Sequence, residues 1–109
     1  MPKKSLGQHF LQCDWVIAEL IETAQLKPAD LVLEIGPGTG VLTKKLALKV
    51  KKVIAVEKDE KLADGLKQTL KQEGIDNVEI IKGDILKVLP LAKYKNYKIV
   101  ANIPYFLTS

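Results

Sequence analysis

Apolar residues along this chain follow two rhythms. Behind Asp14, a side chain suited to capping a helix, Val16, Ile17, Leu20, Ile21 and Ala24 recur at helical spacing, which predicts a helix through about Leu26. Short unbroken apolar runs then alternate with further helical stretches. Leu31-Val32-Leu33-Glu34-Ile35 is halted by Gly36, and Val53-Ile54-Ala55-Val56 ends at Glu57. Val78-Glu79-Ile80-Ile81 stops before Gly83-Asp84, and Lys98-Ile99-Val100-Ala101 leads into Asn102. Such runs predict buried strands. Helices are expected between them over residues 40–49, with Val41, Leu42, Leu46 and Ala47 inward, and over residues 60–72, stopped by Gly74. The alternation predicts an α/β fold, a parallel sheet wrapped by right-handed crossovers. Ligands bind such sheets beyond the carboxyl ends of the strands. That rim gathers the loop Gly36-Pro37-Gly38-Thr39-Gly40 with Glu57, Asp84 and Asn102. Residues 1–13, polar apart from Phe10-Leu11, are expected to form an N-terminal arm to a domain spanning residues 14–109.

Composition narrows the class. A chain of 109 residues, 47% apolar, is one domain at most, with a real core. All 17 basic residues are lysines, and the net charge of +4 permits a polyanionic partner without demanding one. Lysine offers point charges to phosphate rather than two-pronged reading of bases. Lys44, Lys45, Lys49, Lys51 and Lys52 form the densest cluster, with Lys93, Lys95 and Lys98 as a second; each is either a solvated face or an RNA-facing patch. Cys13 is the only cysteine, so no internal disulfide can form and a cytoplasmic location is expected. No apolar run reaches membrane-spanning length, and the start lacks the pattern of a signal peptide. The lone His9 has no cysteine or second histidine beside it, so no metal is expected.

The glycine loop lets the backbone turn sharply and lets a ligand approach without a Cβ in the way. Glu57, 21 residues after Gly36, stands where an acid can take both hydroxyls of a ribose. A dinucleotide fingerprint wants its third small residue three positions after the second glycine, where this chain has Val41; its third glycine, Gly40, comes one position earlier. The spacing disfavours NAD or FAD and favours a ribose-bearing ligand without pyrophosphate, of which S-adenosylmethionine is the common one. Asp84 suits either an acceptor for the adenine amino group or a turn or helix cap.

Asn102-Ile103-Pro104-Tyr105 points to the other reactant. An Asn side-chain oxygen and the following backbone carbonyl can both accept from one amino group, proline fixes the turn, and the aromatic ring can stack on a planar base. The target this suggests is an exocyclic amine on a flat heterocycle.

With Ser5-Leu6-Gly7-Gln8-His9-Phe10-Leu11, Glu34-Ile35-Gly36-Pro37-Gly38-Thr39-Gly40, Val56-Glu57-Lys58-Asp59, Gly83-Asp84 and Asn102-Ile103-Pro104-Tyr105, the chain resembles the ribosomal RNA adenine dimethyltransferases from Ser5 to Ser109. It looks most like the KsgA branch, which dimethylates two adjacent adenosines of small-subunit (16S) rRNA in ribosome biogenesis. The resemblance implies a Rossmann-like class I S-adenosylmethionine-dependent methyltransferase fold. It also implies cofactor contacts from His9, Leu11, Gly36, Gly38, Glu57, Asp84 and Asn102, and catalysis by Asn102, Ile103 and Tyr105. Its partner would be small-subunit rRNA in a pre-30S particle. Macrolide-resistance 23S rRNA methyltransferases usually carry Ser and Lys where Pro37 and Thr39 stand, which favours the housekeeping branch. An amine methyltransferase of the same fold acting on DNA or a small molecule, or a non-catalytic remnant, are the other readings. The family domain has three more strands and then a small helical domain, so the chain is expected to be its first four strands. The fourth strand, beside the first, would then present an apolar edge inviting self-association.

Overall fold

The computed structural model describes residues 14–88 and 96–101. Eight elements follow in order: α1 (Asp14–Thr23), β1 (Leu31–Ile35), α2 (Val41–Ala47), β2 (Lys52–Glu57), α3 (Glu60–Gln72), β3 (Val78–Lys82), α4 (Ile85–Val88) and β4 (Lys98–Ala101). The strands form one sheet in the order β3-β2-β1-β4, and every pair is parallel. Register places Glu34 of β1 between Ala55 of β2 and Val100 of β4, and Glu57 beside Lys82 of β3. The expected alternation and the pairing of the first strand with the fourth are both observed.

Strand alternation sorts the core into two layers. Val32, Val53 and Val100 point to the face that carries α1 and α2, where they pack with Ile17, Leu42, Leu46 and Val50. Leu33, Ile54 and Val56 point to the opposite face, against Ile81, Ile85 and Tyr97. Because a strand's side chains alternate, Glu34, Ala55 and Glu57 share the first face with Val32 and Val53.

Helix ends follow local chemistry. The expected first helix closes early, because Gln25 adopts a left-handed φ of 53° and the chain turns. Asp59 caps α3 by accepting from the Leu62 N–H at 3.1 Å. At the other end Gly74, φ 71°, donates to Lys71 O, and the Ile75 N–H to Leu70 O, the paired closure that a left-handed glycine allows. α4 is an element the apolar pattern did not predict. It is a single turn, too short for a period to show.

Candidate functional site

The turn from β1 into α2 is built almost wholly from backbone. Gly36, Gly38 and Gly40 all take positive φ (70°, 59° and 88°), the region L side chains enter at a cost of about 1–2 kcal/mol. A Cβ added to Gly36 or Gly38 would meet nothing within 4 Å, so these two face open space. Gly40 differs. A Cβ there would run into Leu66 Cδ1 of α3, so this glycine lets two helices approach.

Glu57, the acid placed for a ribose, is buried. Its Oε1 accepts from the Gly38 N–H at 3.0 Å and its Oε2 from the Asp59 N–H at 2.9 Å. One carboxylate therefore ties the middle of the glycine loop to the turn leaving β2. Each oxygen keeps a second lone pair that a hydroxyl can use. The Gly83 N–H donates to the Glu57 carbonyl at 3.0 Å, which brings the end of β3 beside the end of β2. Asp84 follows directly. Its Oδ1 accepts from the Leu86 N–H at 2.9 Å, so it caps α4, one of the two roles expected of it.

Sequence reasoning gave no role to Glu34 or Thr43, and the structure brings them together. Glu34 is wholly buried under the loop, and the Thr43 hydroxyl donates to its Oε1 at 2.5 Å. Glu34 Oε2 has no partner among the described residues. Burial pushes the carboxyl up to about 7, with the nearby Glu57 charge adding to the rise and the Thr43 hydrogen bond opposing it. A charged letter inside the apolar run Leu-Val-Leu-Glu-Ile was the available signal.

Gly36, Gly38, Glu57 and Asp84 thus meet at the carboxyl ends of β1, β2 and β3. β4 arrives at the same rim, with Ala101 in register with Ile35. His9, Leu11, Asn102, Ile103 and Tyr105 lie outside the described residues. A groove of about 790 Å³ lined by Ile17 and Ile21 of α1 and by Lys45 and Leu48 contains none of these groups. The lysine clusters are partly spent on ion pairs: Lys44 with Glu73 at 2.8 Å, Lys52 with Glu79 at 3.1 Å and Lys98 with Asp30 at 2.9 Å. Lys52 and Lys98 open their strands, so they lie at the sheet end opposite the rim. Among the described residues there is no group of three or more metal-ligating side chains, and no helix is long and apolar enough to cross a membrane.

Comparison with known proteins points one way. The family model for ribosomal RNA adenine dimethylase matches residues 2–109. A ribosomal RNA small subunit methyltransferase A from Dehalococcoides mccartyi is 48% identical over 110 residues, covering 98% of this chain and 37% of that protein. The protein of the same name from Pelotomaculum thermopropionicum is also 48% identical, over 98% of this chain and 40% of its own length. The chain therefore spans about two-fifths of the curated relatives it matches. Among solved structures, a dimethyladenosine transferase from Plasmodium falciparum superposes with a TM-score of 0.71 at 35% identity, over 88% of this chain and 34% of that one. The 23S rRNA methyltransferase ErmE gives 0.72 at 37% identity, over 88% and 38%. The fold is that of the S-adenosylmethionine-dependent methyltransferases, represented here by its first four strands.

Proposed function

The chain belongs to the ribosomal RNA adenine dimethylase family, and from that premise we propose that it carries the cofactor-binding half of an S-adenosylmethionine-dependent enzyme. The whole protein would dimethylate N6 of two adjacent adenosines in small-subunit rRNA, acting on pre-30S particles in the cytoplasm. Residues 14–109 would be the partial methyltransferase domain, and residues 1–13 its N-terminal arm. The observation that carries the reading is the Glu57 carboxylate, buried and oriented by two backbone N–H groups beside a glycine loop whose open side would accept a ligand.

The residues present fit that ligand. Glu57 would accept the ribose hydroxyls with its remaining lone pairs. Asp84 uses one oxygen on α4 and would take the adenine amino group with the other. Gly36 and Gly38 would pass close along the ligand, with His9, Leu11 and Asn102 as further contacts. S-adenosylmethionine supplies a methyl group made electrophilic by its sulfonium.

The chain's task is then to prepare a poor nucleophile, since adenine's exocyclic nitrogen shares its lone pair with the ring. The Asn102 side-chain oxygen and the Ile103 carbonyl would accept its two hydrogens and draw it toward tetrahedral geometry. Tyr105 would stack the flipped-out base. This is catalysis by positioning and electrostatics, with no strong general base. Pro37 and Thr39 favour small-subunit rRNA over the 23S target named for ErmE. The outer edge of β4, with Ile99 half exposed, supports self-association of this chain.

Titration calorimetry with S-adenosylhomocysteine and with NAD tests the cofactor. Tighter binding of NAD would overturn the assignment. Transfer of tritiated methyl groups to unmodified small subunits by a full-length homologue tests the substrate.

A further inference from the structure

Two acids grip the glycine loop in different ways. Glu57 holds its middle through the Gly38 N–H. Glu34 stands two residues before Gly36, and its hydrogen-bond partner Thr43 lies in the first turn of α2, just beyond Gly40, so their bond closes the loop at its base. Both oxygens of Glu57 are satisfied, whereas one oxygen of Glu34 is not. A buried carboxylate without full hydrogen bonding is costly, and either a proton or a nearby cation relieves that cost.

Among the described residues, those around Glu34 supply no cation. From α2 Glu34 meets the neutral Thr43; Lys44 on that helix reaches Glu73, and Lys45 is exposed. From β2 it meets Glu57, whose charge opposes ionisation, while Lys52 at the far end of that strand pairs with Glu79. From β4 it meets Val100 in register, with Lys98 at the far end bound to Asp30. Lys82, in register with Glu57, is bound to Asp64 of α3.

We propose that Glu34 exchanges a proton for the positive charge of the cofactor. At and below neutral pH the free protein holds a proton on this carboxyl in part of its molecules, and that proton goes to solvent when a cationic adenosyl ligand binds at the glycine loop. This rests on the cofactor reading above and adds a residue to that site. Glu34 then acts as a positioning residue and counter-charge beneath the loop, and cofactor affinity rises with pH across the range where the free carboxyl titrates. The lift of that carboxyl to about 7 sets the range near neutrality.

Calorimetry of S-adenosylmethionine binding to the full chain, in buffers of different ionisation enthalpy, counts the protons released. Roughly half a proton per ligand is expected at pH 7, falling toward zero about two units higher, because half the free carboxyls are protonated when pH equals pKa. In Glu34→Gln this release disappears. That variant also separates Glu34 from His9, the chain's one histidine, histidine being the side-chain type that ordinarily changes charge near neutrality. Thr43→Val, which removes a hydrogen bond favouring the charged form, should carry the release to higher pH and provides the test if Glu34→Gln does not fold. Binding without proton release, or undiminished release in Glu34→Gln, or an unmoved profile in Thr43→Val, overturns the proposal while leaving the cofactor assignment intact. No binding of S-adenosylmethionine at any pH overturns both.

Discussion

Replacing Glu34 with Gln should change how the stability of this protein depends on pH. Gln keeps the shape of the side chain and an oxygen for the Thr43 hydroxyl, but it cannot ionise. The folded carboxyl titrates near 7 against an ordinary 4.5 because it is buried beside Glu57. The folded state therefore holds this proton more tightly than the unfolded one. The stability Glu34 contributes is fully present below pH 4.5 and is lost as pH rises through 7. Each pKa unit corresponds to about 1.4 kcal/mol, so the whole window is worth about 3 kcal/mol and the span from pH 5.5 to pH 8 about 2 kcal/mol. Other carboxylates titrate as well, so the difference between variant and parent is the quantity to measure. Urea unfolding followed by circular dichroism at both pH values gives it. Glu34→Gln should gain about 2 kcal/mol relative to the parent on going from pH 5.5 to pH 8. Parallel stability profiles would show that the buried carboxyl is ionised at both pH values, and the reasoning from burial would fail.

Other substitutions probe the loop and the chemistry. Gly40→Ala must place a Cβ against Leu66 at a φ of 88° and should cost about 2 kcal/mol or more in urea unfolding. Gly65→Ala, in the middle of α3 with open space around it, should stabilise by roughly 0.5–1 kcal/mol in the same assay. Glu57→Ala should weaken S-adenosylhomocysteine binding by roughly 1.5–3 kcal/mol in calorimetry; unchanged affinity would leave Glu57 as a brace for Gly38 and Asp59 alone. Asn102→Ala in a full-length homologue should abolish most methyl transfer while leaving a folded protein that retains part of its cofactor affinity. Near-normal turnover would refute the paired-acceptor mechanism.

The elements of this fold were legible because their signals are local. Apolar runs ended by glycine or an acid marked β1, β2 and β3, and Gly74 marked the end of α3, since each depends only on residues a few positions apart. Parallel order followed from the helices between strands, and the rim from that order. Only the tertiary structure decided what the acids do. Sequence spacing pointed Glu57 at a ribose, but its burial comes from β1 and β3 on either side of β2, and the glycine loop lends it an N–H from 19 positions away. Glu34 reads as one polar letter in an apolar strand; its orphan oxygen and its coupling to Thr43 and Glu57 arise because β1 lies between two other strands beneath α2. The lysines looked like a free basic face until Glu73, Glu79 and Asp30 came within reach from distant parts of the chain. Helix and strand periods travel along the backbone, whereas desolvation and charge pairing depend on distance through space, which only the folded chain sets.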